Sequence, residues 1–139
     1  MIRGMEPATR RERVALARVA RLATVGPGGA PHLVPCCHVL LGDVVYTAID
    51  DVKPKDSLAL QRLENLRAEP RAALLVDLYD DDWSKLWWVR ITGSARLLDE
   101  GGERERALDA LALKYPQYAE SRPPGTVIAL DITGWGAWP

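Results

Sequence analysis

The stretch "AIDDVKPKDSLALQ" sets Lys53 and Lys55 on either side of a proline, immediately before a helical pattern. Cations beside the first turn of a helix oppose its macrodipole unless an anion lies between them. The free amides of that turn and two ammonium groups together suit a phosphate. Each charge-assisted hydrogen bond there would contribute about 1.5–3 kcal/mol. A solvated lysine turn is the plainer alternative. A second chemical signal is "SKLWWVRITGSARLL", which alternates like a strand yet places Trp87 and Trp88 side by side. Successive strand side chains leave by opposite faces, so Trp87 shares the side of Val89 and Trp88 the side of Arg90. Burying the second indole would contribute about 4–5 kcal/mol, from about 200 Å² at about 25 cal/mol/Å². A partner subunit, a flat aromatic ligand or the chain's own helices could cover it. In the tail "GWGAW", Trp135 and Trp138 stand among glycines that permit close approach, either as a lid over a planar group or as a strap for the terminus.

Other reactive side chains offer less. His32 and His38 have no nucleophile or carboxylate at a suggestive spacing, so neither a catalytic triad nor a metal site is expected. Cys36 and Cys37, the two cysteines of the chain, would point apart in a strand. A disulfide between them would need a strained turn, and no second pair exists to complete a zinc site. They read as small buried or interface side chains, with a reactive thiol as the lesser alternative. Neither a Walker loop nor a GxGxxG after a strand is present.

The elements that must position these groups follow from periodicity. Pro7 opens an amphipathic helix in which Val14, Leu16, Ala17, Val19 and Ala20 interleave with arginines. "RLATVGPGGAPHLVPCCHVLLGDVVYTAID" reads as three strands turning at "GPGGA" and "LGD". "KDSLALQRLENLRAEP" is a second helix with a Leu58, Leu63 and Leu66 stripe, ended by Pro70. "RAALLVDLY" is a strand, followed by an acidic turn and the tryptophan strand. "GERERALDALALKYPQYAE" is a third helix stopped near Pro116, and "TVIALDITGWGAW" is a last strand. Many antiparallel strands with a few helices favour a small closed or split β-barrel.

Length and composition fit one domain over residues 1–139, 47% hydrophobic and 27% charged. The net charge of −1 gives no broad reason to expect nucleic acid or an anionic membrane as partner. Every apolar run is shorter than the roughly 20 residues a bilayer requires. The Arg-rich start lacks an apolar leader core, so a cytoplasmic location is expected.

Taken in order, "RLATVGPGGAPHLVP", "VVYTAIDDVKPK", "RLENLRAEPRAALLVDLYDDDWSKLWWVRITGSARLL" and "KYPQY" resemble the pyridoxamine-phosphate-oxidase-like superfamily, over about residues 21–138. They are most similar to its deazaflavin (F420)-dependent oxidoreductases. The resemblance implies a mainly β, six-stranded antiparallel split barrel with flanking helices. It implies a homodimer with cofactor at the subunit interface. By the same resemblance, Lys53 and Lys55 match the basic segment that holds the cofactor phosphate. Pro35, Cys36 and Cys37 lie on the strand along the ring system, with Tyr46, Thr47 and Ala48 on its neighbour. Asn65 falls near the family's helix end, where Glu69 stands before Pro70 in place of the usual Asn. Trp88 and Arg90 match a strand that reaches the ring or tail, and Trp135 and Trp138 resemble a C-terminal aromatic cover. The phosphate-binding arginines and the substrate-binding C-terminal arginine motif of vitamin B6 oxidases are absent. The implied activity is hydride transfer between F420 and a planar conjugated small molecule, with no catalytic side chain assigned. The alternatives are an FMN-dependent oxidase or reductase of the same superfamily, and a non-catalytic binder of flavin, deazaflavin or tetrapyrrole.

Overall fold

The computed structural model describes residues 4–49 and 57–139, so the lysine pair at 53 and 55 lies outside the described residues. Pro7 starts α1 (Pro7–Leu16), where its missing N–H is no loss. The helix is shorter than the expected apolar stripe. Val14 is buried, but Leu16 points outward and Ala20 already begins β1 (Ala20–Val25). Pairing of Ala20 with Cys36 draws the chain into the sheet before another helical turn can form. Glycines at positive φ, Gly28 and Gly29, turn the chain from β1 into β2 (Pro31–Cys36). β3 (Val39–Leu41) and β4 (Val44–Ala48) form the next hairpin.

The strand expected to run unbroken from the first turn to "LGD" is therefore two strands, and the sheet has seven strands rather than six. The break falls at Cys37–His38. His38 is fully buried, its Nε2 donates to the Val14 carbonyl at 2.7 Å, and its amide donates to the Tyr115 hydroxyl at 3.1 Å. These bonds take the backbone away from the ladder.

The remaining elements follow the predicted order. α2 (Ser57–Ala68) buries Leu63 and Leu66; the side chain of Leu58 lies outside the described residues. β5 (Arg71–Leu78) and β6 (Trp87–Leu98) form a long hairpin. α3 (Gly102–Lys114) ends at Tyr115, before α4 (Pro116–Glu120), because Pro116 cannot continue it. β7 (Val127–Trp138) runs to the tail and pairs with both β6 and β4.

The strands lie in one sheet, in the order β2-β1-β5-β6-β7-β4-β3. Its two edges, β2 and β3, are consecutive in the chain. The three Cα steps from Cys36 to Val39 reach at most about 11 Å. A flat sheet of seven strands would hold its edges about 29 Å apart at about 4.8 Å per gap. The sheet must curl until β2 and β3 approach. They do not pair, and the opening between them is the split of the barrel.

Curling gives the sheet an inside and an outside. The inside holds Leu22, Leu74, Val76, Val89, Ile91 and Leu130, with Val14 of α1 and Leu63 and Leu66 of α2 packed against them. On the outside, one half is covered: Tyr46, Ala48, Val127 and Ala129 pack beneath Ala107, Leu108 and Leu111 of α3 and against Tyr115 and Tyr118. The other half, over β2, β1, β5 and the far ends of β6 and β7, carries no helix among the described residues, and the candidate site lies there.

Candidate functional site

Register builds the uncovered face. Antiparallel pairing aligns Pro35 with Arg21, Arg21 with Leu75, Leu75 with Arg90, and Arg90 with Gly136, which makes one row across five strands. One step along, Asp77 opposes Trp88 and Trp88 opposes Trp138. One step the other way lie Leu33, Ala23, Ala73, Thr92 and Gly134. Twelve of the residues around this face and the β5–β6 hairpin above it, among them Leu78, Tyr79 and Leu86, line a groove of about 890 Å³ together with the backbone neighbours Leu74 and Trp87. Its floor is apolar and wet. Leu33 is 66% exposed, Leu75 36% and Trp138 47%. At about 25 cal/mol/Å², apolar surface left in water on this scale calls for a covering partner or ligand.

The charges within the groove differ. Arg21 donates to Asp77 at 2.9 Å. Arg90 has no ion pair among the described residues; its guanidinium lies 5.4 Å from the centre of the Trp88 ring. That cation–aromatic contact contributes about 0.5–1 kcal/mol at an exposed site. Gly136 makes the pose possible, since a Cβ there would come within 2.9 Å of Arg90 Nη2.

Each tryptophan takes the face that strand parity dictates. Trp87 packs on the inner core and stacks under Arg13 of α1, 4.7 Å from its guanidinium carbon. Trp88 faces the groove. In the tail, Trp135 packs inward, 5.8 Å from Arg11, whereas Trp138 lines the groove. The two tail indoles therefore do not act on one object from one side.

The other sequence-predicted residues are dispersed. Pro35 shares the outer row with Arg21, while Cys36 packs in the inner core. Cys37 adjoins the α3 cluster, and the two cysteines form no disulfide. Tyr46 and Ala48 lie under α3. The Tyr46 hydroxyl donates to Glu103 Oε2 at 2.7 Å, and burial, with Glu103 beside it, pushes its pKa up to about 12. Bonds from Arg96, then from Tyr46, hold the Glu103 carboxyl down to about 2. Thr47 shares the face of Val45, and its buried hydroxyl has no partner among the described residues. Asn65 is buried in α2, donating to Thr24 Oγ1 at 3.0 Å and accepting from Gln61 at 2.7 Å. Trp88, Arg90, Trp138 and Pro35 thus share one face, and the other predicted residues that are described do not. Sequence reasoning missed Arg21, Leu33, Leu75 and Asp77. The available signal was "RAALLVDLY", apolar on both faces of a single strand, which marks an outer face that something covers.

Among the described residues, no group of histidines, cysteines and carboxylates could hold a metal ion, and no helix is long and apolar enough to cross a membrane.

Comparison with known proteins agrees with this architecture. A conserved hypothetical protein from Mycobacterium tuberculosis superposes with TM-score 0.79 at 21% identity, over 96% of this chain and 84% of that one. A heme binding protein from Mycobacterium smegmatis gives 0.77 at 20% identity, over 99% of this chain but 55% of that one, so this chain spans about half its length. A FAD-binding protein from Mesorhizobium loti gives 0.73 at 19% identity, over 97% and 95%. At these identities the likeness is one of fold. No curated protein matches the sequence. The family model described as pyridoxamine 5'-phosphate oxidase matches residues 7–139. With that match along nearly its whole length, and a curled, split antiparallel sheet to go with it, the chain belongs to the pyridoxamine 5'-phosphate oxidase family.

Proposed function

We propose that this protein is an F420-dependent reductase, in which two copies of the chain enclose the deazaflavin where their bare sheet faces meet. The observation that carries the reading is the uncovered apolar groove, with Trp88 and Trp138 side by side and Arg90 stacked on the indole. Its volume of about 890 Å³ lies in the range that holds a cofactor-sized ligand. The described residues fit a flat ring: two indoles offer aromatic surface, Leu33 and Leu75 a greasy floor, and the glycines of β7 a low wall.

The predicted site residues divide between the bare face and the lysine pair, which lies outside the described residues. Trp88, Arg90 and Trp138 are on the bare face, while Lys53 and Lys55 precede α2 in sequence. A two-fold arrangement joins them, one protomer presenting the groove and its partner the phosphate-binding lysines. The dimer also removes Leu33, Leu75 and Trp138 from water.

When bound, the cofactor supplies a hydride equivalent, the two-electron chemistry that the polypeptide lacks. The chain's own residues bind, orient and dry the site. Trp88 and Trp138 fix the ring plane, Lys53 and Lys55 hold the tail, and the partner's sheet excludes water. Arg90 stabilises negative charge that develops on a planar conjugated acceptor. FMN is the nearest alternative cofactor, since the family's fold serves flavins. Haem fits this groove less well. No histidine lines it, and the ring of His38 is buried and bonded to Val14.

Titration of the protein with F420, FMN and haem, followed by intrinsic tryptophan fluorescence, tests the proposal. The expected result is quenching by F420 at micromolar concentration, followed by oxidation of the reduced complex by a flat enone or quinone and not by oxygen. Tighter binding of FMN, or a tight complex that no acceptor oxidises, would overturn it.

A further inference from the structure

Among the described residues, the groove carries three charged side chains: Arg21, Asp77 and Arg90. The first two neutralise each other at 2.9 Å, so the described lining of one protomer bears a single unbalanced positive charge, on Arg90. That charge is held in place. Trp88 lies beneath it, the Gly136 backbone runs along its edge, and Leu75 is its register neighbour on the other side. Thr92 leans across β7 in the same way, its hydroxyl 2.8 Å from where a Gly134 Cβ would stand. A guanidinium and a hydroxyl, two residues apart on β6, therefore lie over two glycines that raise no side chain against a ligand.

Elsewhere in the protein the arginines with ion pairs are tied to carboxylates: Arg96 to Glu103 and Asp131, Arg71 to Glu69, Arg122 to Glu105 and Asp109. These are structural clasps. Arg90 has aromatic and glycine neighbours in place of a carboxylate, which fixes its direction and leaves its donors unspent. A guanidinium presents two parallel N–H groups that match the two oxygens of a carboxylate. An apolar lining strengthens that pairing over an open-surface one. The net charge of the lining matches a monoanion, and Asp77 beside Trp88 opposes a doubly charged phosphate.

We propose that Arg90 determines substrate specificity by taking the carboxylate of a flat, conjugated acid, whose plane lies over the Gly134–Gly136 stretch with the Thr92 hydroxyl as second polar contact. As a statement about the acceptor, this rests on the reductase reading above. As a statement about a carboxylate site, it is testable without any cofactor.

The probes are cinnamate and cinnamamide, of one shape and differing in charge, titrated into the cofactor-free full chain by tryptophan fluorescence and calorimetry. Cinnamate should bind the wild type about tenfold or more tighter than the amide, a difference of about 1.4 kcal/mol. Arg90→Gln should erase that preference, Arg90→Lys should keep part of it, and Gly136→Ala should weaken it by displacing the guanidinium. Unfolding midpoints equal to wild type would certify that each variant is folded. Equal binding of acid and amide by the wild type, a preference that survives Arg90→Gln, or no binding of either probe at about 10 mM would overturn the proposal. Titration of Arg90→Gln with F420 separates the two readings. Unchanged cofactor affinity with lost cinnamate preference supports Arg90 as an acceptor site. A parallel loss of F420 affinity would place Arg90 on the cofactor and overturn this inference, while the reductase reading stands.

Discussion

The outer surface of the sheet is built twice, to opposite ends. Over β4 and the start of β7, Tyr46, Ala48, Val127 and Ala129 meet α3 and its tyrosine neighbours, and Leu108 and Leu111 are sealed from water. Over β1, β2, β5, the start of β6 and the end of β7, side chains just as apolar, Leu33, Leu75, Trp88 and Trp138, lie under no helix among the described residues. The apolar character of the two halves is alike; their covering differs. Where the chain supplies its own cover, the polar groups beneath are satisfied locally, as Tyr46 is by Glu103. Where it does not, a stacked arginine, Arg90, has no carboxylate partner among the described residues. Burial by its own helix makes one half structural, and no helix among the described residues does the same for the other.

The comparison breaks first under truncation. Leu111→Ala, on the sealed side, should cost about 2–5 kcal/mol by lost burial and a residual cavity, measured by urea unfolding. Next comes pH. Burial lowers the His38 pKa from 6.5 to about 4, in the pocket that ties α1 to the barrel. Above pH 6.5 the ring is neutral whether the chain is folded or not. Between 6.5 and 4 the unfolded chain binds the proton and the folded one does not, so stability falls as pH drops, and the loss due to His38 is complete below about 4. The size of that loss is on the order of 3 kcal/mol, and His38→Gln should flatten the pH dependence in this window. A smaller effect belongs to the phosphate clamp: Lys55→Ala should weaken F420 about tenfold, or about 1.4 kcal/mol, with unfolding unaltered. Smallest is Leu33→Ala on the bare side, expected to leave unfolding of the dissociated monomer within about 0.5 kcal/mol of wild type while weakening the pairing of the two copies. A cost there as large as for Leu111 would mean the two halves do not differ as described.

The sequence made the strands and helices legible because their periods are local. Trp87 and Trp88 had to part, and they do, one to the core under Arg13 and one to the groove beside Arg90. What escaped is set by contacts far apart in the chain. The break at His38 depends on Val14 and Tyr115, which no window around His38 contains. The row from Pro35 to Gly136 exists only once five strands are in register; Leu33 or Leu75 in isolation is an ordinary strand leucine. Trp135 and Trp138 were separable in principle, since residues three apart in a strand take opposite faces. The flanking glycines suggested a lid or a strap made by both indoles instead. The early end of α1 at Leu16 reflects the pull of the β1–β2 pairing on Ala20, again a tertiary cause.

A crystal structure of the protein grown with excess F420 tests the central claim most directly. The account predicts two chains joined across their bare faces, with the deazaflavin ring against Trp88 and Trp138 and its phosphate at Lys53 and Lys55 of the partner subunit. Isolated protomers, or a cofactor bound away from Trp88, would contradict it.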